Sequence, residues 1–198
     1  NFNITKLKSA LQTSSKAPDV VMIENANIRE LIDVPYLQNL SEAPYHANEL
    51  LPEQYPFVQA NEKDSEGNVR AIGYQATPGA IYYRRDLAKE YLGTDDPDEV
   101  SKQIDTWDKI FEIGERVQQE SGNQVHALAN WNAISNSYDG IPWVQDGKFV
   151  MDDTYLEILD LVREARERKV LAEYEEGSAG SAASMQKGTV MFYPAATW

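Results

Sequence analysis

Apolar residues recur at helical spacing at Ile4, Leu7, Ala10 and Leu11, so the pattern predicts an amphipathic helix near the start of the chain. Lys16-Ala17-Pro18-Asp19 breaks it, and Val20-Val21-Met22-Ile23 follows as a wholly apolar run. Such a run after a helix predicts a buried parallel strand of an α/β layer. Its carboxyl end carries Glu24-Asn25-Ala26-Asn27. Ligands of open α/β sheets sit beyond the carboxyl ends of strands, which makes Glu24, Asn25 and Asn27 binding candidates. The alternative is that Asn25 or Asn27 caps a helix over 28–32. Pro35, Pro44, Pro52 and Pro56 punctuate residues 33–68, and Glu66-Gly67-Asn68 is a turn feeding a strand at Val69.

Residues 71–74 and 80–83 are short apolar and aromatic runs around Gln75-Ala76-Thr77-Pro78-Gly79. Taken alone they predict two strands in a hairpin, with an extended crossing between lobes as the alternative. Residues 85–91 predict a helix stopped by Gly93, and 98–104 a further turn or two. Thr106 caps a helix that carries Trp107, Ile110, Phe111, Ile113, Gly114 and Val117 and closes at Gly122. A strand over 125–128 leads to Asn130-Trp131-Asn132. Asp146-Gly147 is a turn between two short strands. Asp152 or Asp153 then caps a long helix, with Leu156, Leu159, Val162 and Ala165 expected on its buried face. Charges from Arg163 to Lys169 form its solvated face. Lys187-Gly188 turns into a strand over 189–193 that runs on to Trp198.

A chain of 198 residues holds one large domain or two small ones. Its 42% hydrophobic and 25% charged content is ordinary for a globular protein. A net charge of -14, from 32 acidic and 18 basic residues, argues against nucleic acid or an anionic membrane as partner. The absence of cysteine excludes disulfides, thiolate catalysis and cysteine metal sites. No apolar run reaches the length of a membrane span and no signal peptide is present. Asn1 opens just ahead of a helix and Trp198 follows a strand directly, so both ends read as cuts in a longer chain.

Enzyme signatures are scarce: HExxH, GxSxG, GxGxxG and EF-hand patterns are all missing. The Gly/Ala/Ser-rich stretch 176–184 lacks the Gly-Lys-Ser/Thr ending of a phosphate loop. Asp95-Asp96 and Asp152-Asp153 sit at helix starts, where capping explains them. His126 has no His or Cys neighbour to share a metal. No catalytic residue, metal ligand or cofactor is therefore assigned. What the chain does carry is aromatics beside amides at the ends of predicted strands: Tyr74-Gln75, Asn130-Trp131-Asn132, Trp143, Tyr193 and Trp198. Sugars offer C–H faces to aromatic rings and hydroxyls to amides and carboxylates, so this mix suits a neutral polyhydroxylated ligand. Core packing is the alternative for each aromatic taken singly.

Four stretches resemble the extracellular solute-binding proteins of carbohydrate ABC transporters, the family-1 group that includes the maltose-binding type. They are Ala17-Pro18-Asp19-Val20-Val21, Ala80-Ile81-Tyr82-Tyr83-Arg84-Arg85-Asp86-Leu87, Thr106-Trp107-Asp108-Lys109-Ile110 and Gly188-Thr189-Val190-Met191-Phe192, with Trp198 ten residues past that glycine. The resemblance implies a partial chain of a type II periplasmic-binding-protein-like, two-lobe α/β fold. Residues 1–74 would form most of the first lobe, 75–79 the hinge crossing, and 80–198 the first part of the second lobe. It implies a monomeric, non-enzymatic sugar-binding protein, periplasmic or a lipoprotein at the outer face of the bacterial cytoplasmic membrane, that delivers its ligand to a permease by hinge closure. Trp198 matches a sugar-stacking Trp. Glu24, Asn25 and Asn27 match one ligand loop and Asn130, Trp131 and Asn132 another, with Gln75 at the crossing as a further hydrogen-bonding candidate. The chain departs from the pattern in having Ala195-Ala196 where many members have Asn-Gly. A binder of a charged ligand, such as a polyamine or peptide held by Glu24, and a carbohydrate-active hydrolase are the alternatives.

Overall fold

The computed structural model describes residues 4–13, 17–138, 143–175 and 177–196. The chain divides into two compact units, Asn1–Ala76 and Thr77–Trp198.

In the first unit the helical spacing at the start forms α1 (Ile4–Thr13). The next helix, α2 (Asn25–Ile28), opens from Glu24 in extended backbone with no side-chain cap, so neither Asn25 nor Asn27 acts as one. The chain then continues in turns that bury Ile28, Leu31 and Ile32. The strand expected over 20–23 does not form: Val20 is 86% and Met22 67% exposed. A buried parallel strand needs ladder partners for its backbone, and among the described residues none pairs with this run. Proline breaks the next stretch into one-turn pieces, ending with α3 (Pro56–Gln59).

The centre of this unit is polar. Asp64 Oδ1 accepts from the backbone N–H groups of Glu66 and Asn68, 3.0 and 2.8 Å away, which shapes the Gly67 turn. Its other oxygen takes the Nε–H of Arg70 at 2.7 Å, and Arg70 Nη1 reaches the Leu37 carbonyl at 2.9 Å. The Arg70 guanidinium, helped by these N–H donors, lowers the Asp64 pKa from the ordinary 3.8 to about 2. Val69 is fully buried here, but its backbone is used by Ser41 and Leu40, so it forms a single bridge to Lys63 instead of a strand. Nearby, buried Glu62 accepts through Oε1 from Gln54 Nε2 and from the N–H of Gly73. A Cβ on Gly73 would lie 2.2 Å from Val58 Cγ1, so only glycine fits against this carboxylate.

The second unit is an α/β layer. β1 (Gly79–Tyr83) leads through Arg84 into α4 (Arg85–Leu92), which ends at Gly93 with φ 76°. Asp96 caps α5 (Pro97–Gln103), and Thr106 caps α6 (Trp107–Glu120) through Lys109 N–H. The short α7 (Asn132–Ser135) precedes a hairpin of β2 (Val144–Gln145) and β3 (Lys148–Phe149). Its Asp146-Gly147 turn has both φ positive, the mirror-image type that hairpins favour. Asp152 caps α8 (Asp153–Glu167), and Ser178 caps α9 (Ala179–Lys187). β4 (Phe192–Ala196) closes the described chain.

Residues 125–129 run through the middle. His126 N–H donates to the Thr189 carbonyl at 3.0 Å, and Met191 N–H returns to the His126 carbonyl at 3.0 Å. On the other side Leu128 N–H donates to Val170 and Ala172 N–H to Leu128. Both pairings are parallel. β4 continues the 189–192 run and pairs antiparallel with β1, Tyr83 opposite Phe192 and Gly79 opposite Ala196. Residues 71–74 are not a strand, so the hairpin with 80–83 does not form; β1 takes its ladder from β4.

Helices cover this layer. Phe111, Val117, Leu128, Val170, Met191 and Phe192 are fully buried in one core. In α8 the buried face is Ile158, Leu161, Val162 and Ala165, whereas Leu156 and Leu159 are 51% and 61% exposed. The i, i+3, i+4, i+7 stripe wins over the i+3 row read from sequence, because a helix turns 100° per residue and an i+3 row drifts off the face. Arg168 lies over the Phe111 ring, 5.6 Å from its centre, and pairs with Glu115 and Glu164 at 2.8 Å each.

Two outcomes follow from this packing. Gly114 sits where a Cβ would meet Ala127 Cβ at 2.7 Å and Val170 Cγ1 at 2.9 Å. Gly114→Ala gains about 1 kcal/mol of helix propensity but overpacks a site worth roughly 1–3 kcal/mol. A net loss in urea unfolding is expected, and a more stable variant would show that α6 can move off the layer. Asp64 has a depressed pKa, so its contribution is present above the ordinary carboxylate value and is lost as pH falls from 3.8 towards about 2. Asp64→Asn should remove that part of the acid-dependent loss of stability, read as Tm against pH.

Candidate functional site

The parallel runs 125–129 and 170–174 end side by side, and their carboxyl ends open into a depression of about 440 Å³. Asn130, Trp131, Asn132, Arg166, Glu173, Tyr174 and Glu175 line it. Carboxyl ends of parallel strands are where α/β layers leave room for ligands, because the chain must turn away there into loops and helices.

Local geometry explains how each side chain arrives. α8 ends in a Schellman turn with Lys169 in the left-handed region, φ 59°. Lys169 N–H bonds the Arg166 carbonyl and Val170 N–H the Ala165 carbonyl, each at 3.0 Å. This places Arg166 at the mouth and starts the strand at Val170. Ala172 N–H donates to Leu128 and Tyr174 N–H to Ala129, so two steps on one strand face one on the other. Glu173 is the extra residue, with φ 53°. A bulge of this kind re-aims its side chain, and Glu173 Oε1 receives Arg166 Nε–H at 3.0 Å. Glu175 is exposed; its carbonyl accepts from Ser178 ahead of α9.

Asn130 is buried, and its amide bonds both neighbouring loops. Nδ2 donates to the Tyr174 carbonyl at 3.0 Å and Oδ1 accepts from Asn132 N–H at 3.0 Å. It fastens the two loops together. Trp131 stands between them with 45% of its surface exposed. A smaller hollow of about 110 Å³ lies on the other side of Asn130 and Asn132, edged by Asn136, Ser181, Tyr193 and Pro194. Tyr193 hydroxyl bonds Ser184 at 2.8 Å, and burial raises its pKa above the ordinary phenol value.

Of the residues singled out from sequence, Asn130, Trp131 and Asn132 come together here. Glu24 and Asn25 are exposed and Asn27 half-buried at α2, and Gln75 is exposed near the end of the first unit. Trp198 lies outside the described residues. Trp143 stacks on Tyr155 at 4.1 Å and on Phe149 at 5.8 Å, which joins the hairpin to α8. Sequence reasoning missed Arg166, Glu173, Tyr174 and Glu175. The signal was the apolar Val170-Leu171-Ala172 directly after Lys169, a strand whose polar sequel lies at a carboxyl end.

A family model for bacterial extracellular solute-binding proteins matches residues 3–198. Among solved structures, an extracellular solute-binding protein of family 1 superposes with a TM-score of 0.79 at 19% identity, over 98% of this chain and 51% of that one. The galacto-N-biose/lacto-N-biose I-binding protein of a Bifidobacterium longum ABC transporter, in complex with lacto-N-biose, gives 0.73 at 15% identity, over 98% and 48%. The GacH receptor of Streptomyces glaucescens, determined without ligand and with acarbose, gives 0.71 at 16%, over 97% and 49%. The fold is thus that of type II periplasmic-binding-protein-like proteins, and the chain spans about half the length of the solved structures it matches. No curated protein sequence matches the chain significantly.

Asn130→Ala leaves the Tyr174 carbonyl and Asn132 N–H without their partner, and a loss of about 1–3 kcal/mol is expected. Urea unfolding of the variant measures it. An unchanged midpoint would mean that the amide is free for other work.

Proposed function

Because the chain belongs to the bacterial extracellular solute-binding proteins, we propose that it is the substrate-binding component of an ABC importer, capturing a mono- or oligosaccharide for delivery to its permease. The observation that carries this reading is Trp131, half-exposed at the carboxyl ends of two parallel strands with charged and amide side chains around it. A sugar needs one apolar face for stacking and a ring of donors and acceptors for its hydroxyls. Arg166 supplies donors, Glu173 and Glu175 acceptors, and Trp131 the face. Relatives of the same fold carry acarbose and lacto-N-biose. From the first unit Glu24, Asn25, Asn27 and Gln75 are the expected contributors, and Trp198 is a further stacking residue.

The protein acts as a monomer in the periplasm or lipid-anchored at the outer face of the cytoplasmic membrane. No helix among the described residues is long and apolar enough to cross a membrane. Capture is relayed by hinge closure about residues 75–79, driven by the ligand's preference for the closed state.

Thermal unfolding against a panel of mono- and oligosaccharides, with polyamines and peptides as controls, tests the reading. A sugar at a hundredfold excess over its Kd should stabilise by about 2.7 kcal/mol. Trp131→Ala should weaken that sugar by roughly tenfold, since each 1.4 kcal/mol is a factor of ten. A panel silent to every sugar but responsive to a polyamine or peptide would sink the carbohydrate assignment.

A further inference from the structure

The charges around the depression do not cancel. Arg166 is the cation in its lining, and its Nε–H is directed at Glu173. Both side chains are about half exposed, 53% and 51%, so the pair lies at the rim and is not a buried core element. Glu175 then remains as a carboxylate on the same lining with no ion pair or hydrogen bond to its side chain among the described residues. It shares the depression with the exposed face of Trp131.

The bulge makes this arrangement costly. Glu173 is a non-glycine residue held at φ 53°, a conformation that costs of order 1 kcal/mol or more. An exposed ion pair returns little of that. What the bulge does achieve is to give Arg166 its own counter-ion, leaving Glu175 un-neutralised. An aromatic face and an unpaired carboxylate are together the chemistry that recognises an ammonium group, one by its quadrupole and the other by its charge.

Resting on the saccharide reading above, we propose that this depression selects a sugar bearing a free amino group, with Trp131 stacking on the ring and Glu175 pairing with the ammonium. Glu175 is then the residue that sets specificity, and Glu173 is a positioning residue that keeps Arg166 from neutralising it. A uronic acid is disfavoured by the same carboxylate.

Calorimetric titration of the full protein with matched probes tests this: glucose against glucosamine, galactose against galactosamine, and cellobiose against its diamino counterpart, the chitosan dimer. Each pair differs only by hydroxyl or ammonium. The amino member should bind roughly tenfold tighter, the scale of one cation–π contact plus one exposed ion pair, and the preference should shrink as salt rises. Glu175→Gln keeps the side-chain shape and should abolish the preference for the amino member, with Tm unchanged. Glu173→Gln should reduce the preference as Arg166 turns towards Glu175, and Arg166→Gln in that background should restore it. A neutral sugar bound as well as or better than its amino counterpart overturns this proposal and leaves the saccharide reading standing. A preference that survives Glu175→Gln also overturns it. Silence towards all these sugars and the wider panel brings down both.

Discussion

The second unit depends on the backbone pairing of residues 125–129 with a parallel strand on each side. Parallel pairing buries both faces of the central strand, so helices must cover it. α6 approaches closely because Gly114 carries no side chain where Ala127 and Val170 lie. The chain must also turn away at the carboxyl end of each strand, and two such turns converge there. One carries Asn130-Trp131-Asn132 and the other Glu173-Tyr174-Glu175. The depression is therefore a consequence of topology before it is a consequence of side chains.

Side chains then decide what the depression offers. Asn130 turns inward and ties those two loops, which frees Trp131 to stand exposed between them. The Glu173 bulge spends backbone strain to direct one carboxylate at Arg166 while Glu175 is left facing solvent. Anchoring and exposure are thus divided between neighbours in sequence: Asn130 and Tyr174 hold the loops, and Trp131 and Glu175 face the opening.

The first unit is organised differently, around buried polar groups. Asp64 and Arg70 fold one loop, and Glu62 grips Gly73 just before the chain leaves the unit. Burial of such groups is offset by hydrogen bonds, which Asp64 has at both oxygens and Glu62 at Oε1. Its apolar run at 20–23 leaves Val20 and Met22 exposed, because strand-forming side chains do not make a strand without a partner backbone, and none pairs with it among the described residues.

Local chemistry was legible in the sequence wherever the interaction is local. Thr106, Asp96 and Asp152 cap the helices they precede, Gly93 ends its helix in the left-handed region, and Asp146-Gly147 makes its turn. Caps and turns involve residues two to four apart, so a linear reading contains all their partners. The family match across residues 3–198 was legible for the same reason, as an ordered set of short motifs. Strand pairing was not. Whether 80–83 pairs with 71–74 or with residues more than a hundred positions away is settled by which backbone arrives alongside, and β4 does. The buried stripe of α8, the inward turn of the Asn130 amide and the Arg166–Glu173 contact likewise depend on neighbours distant in sequence or on a bulge created by strand register. Tertiary structure alone decided these, because only there do donors, acceptors and apolar faces from separate segments meet.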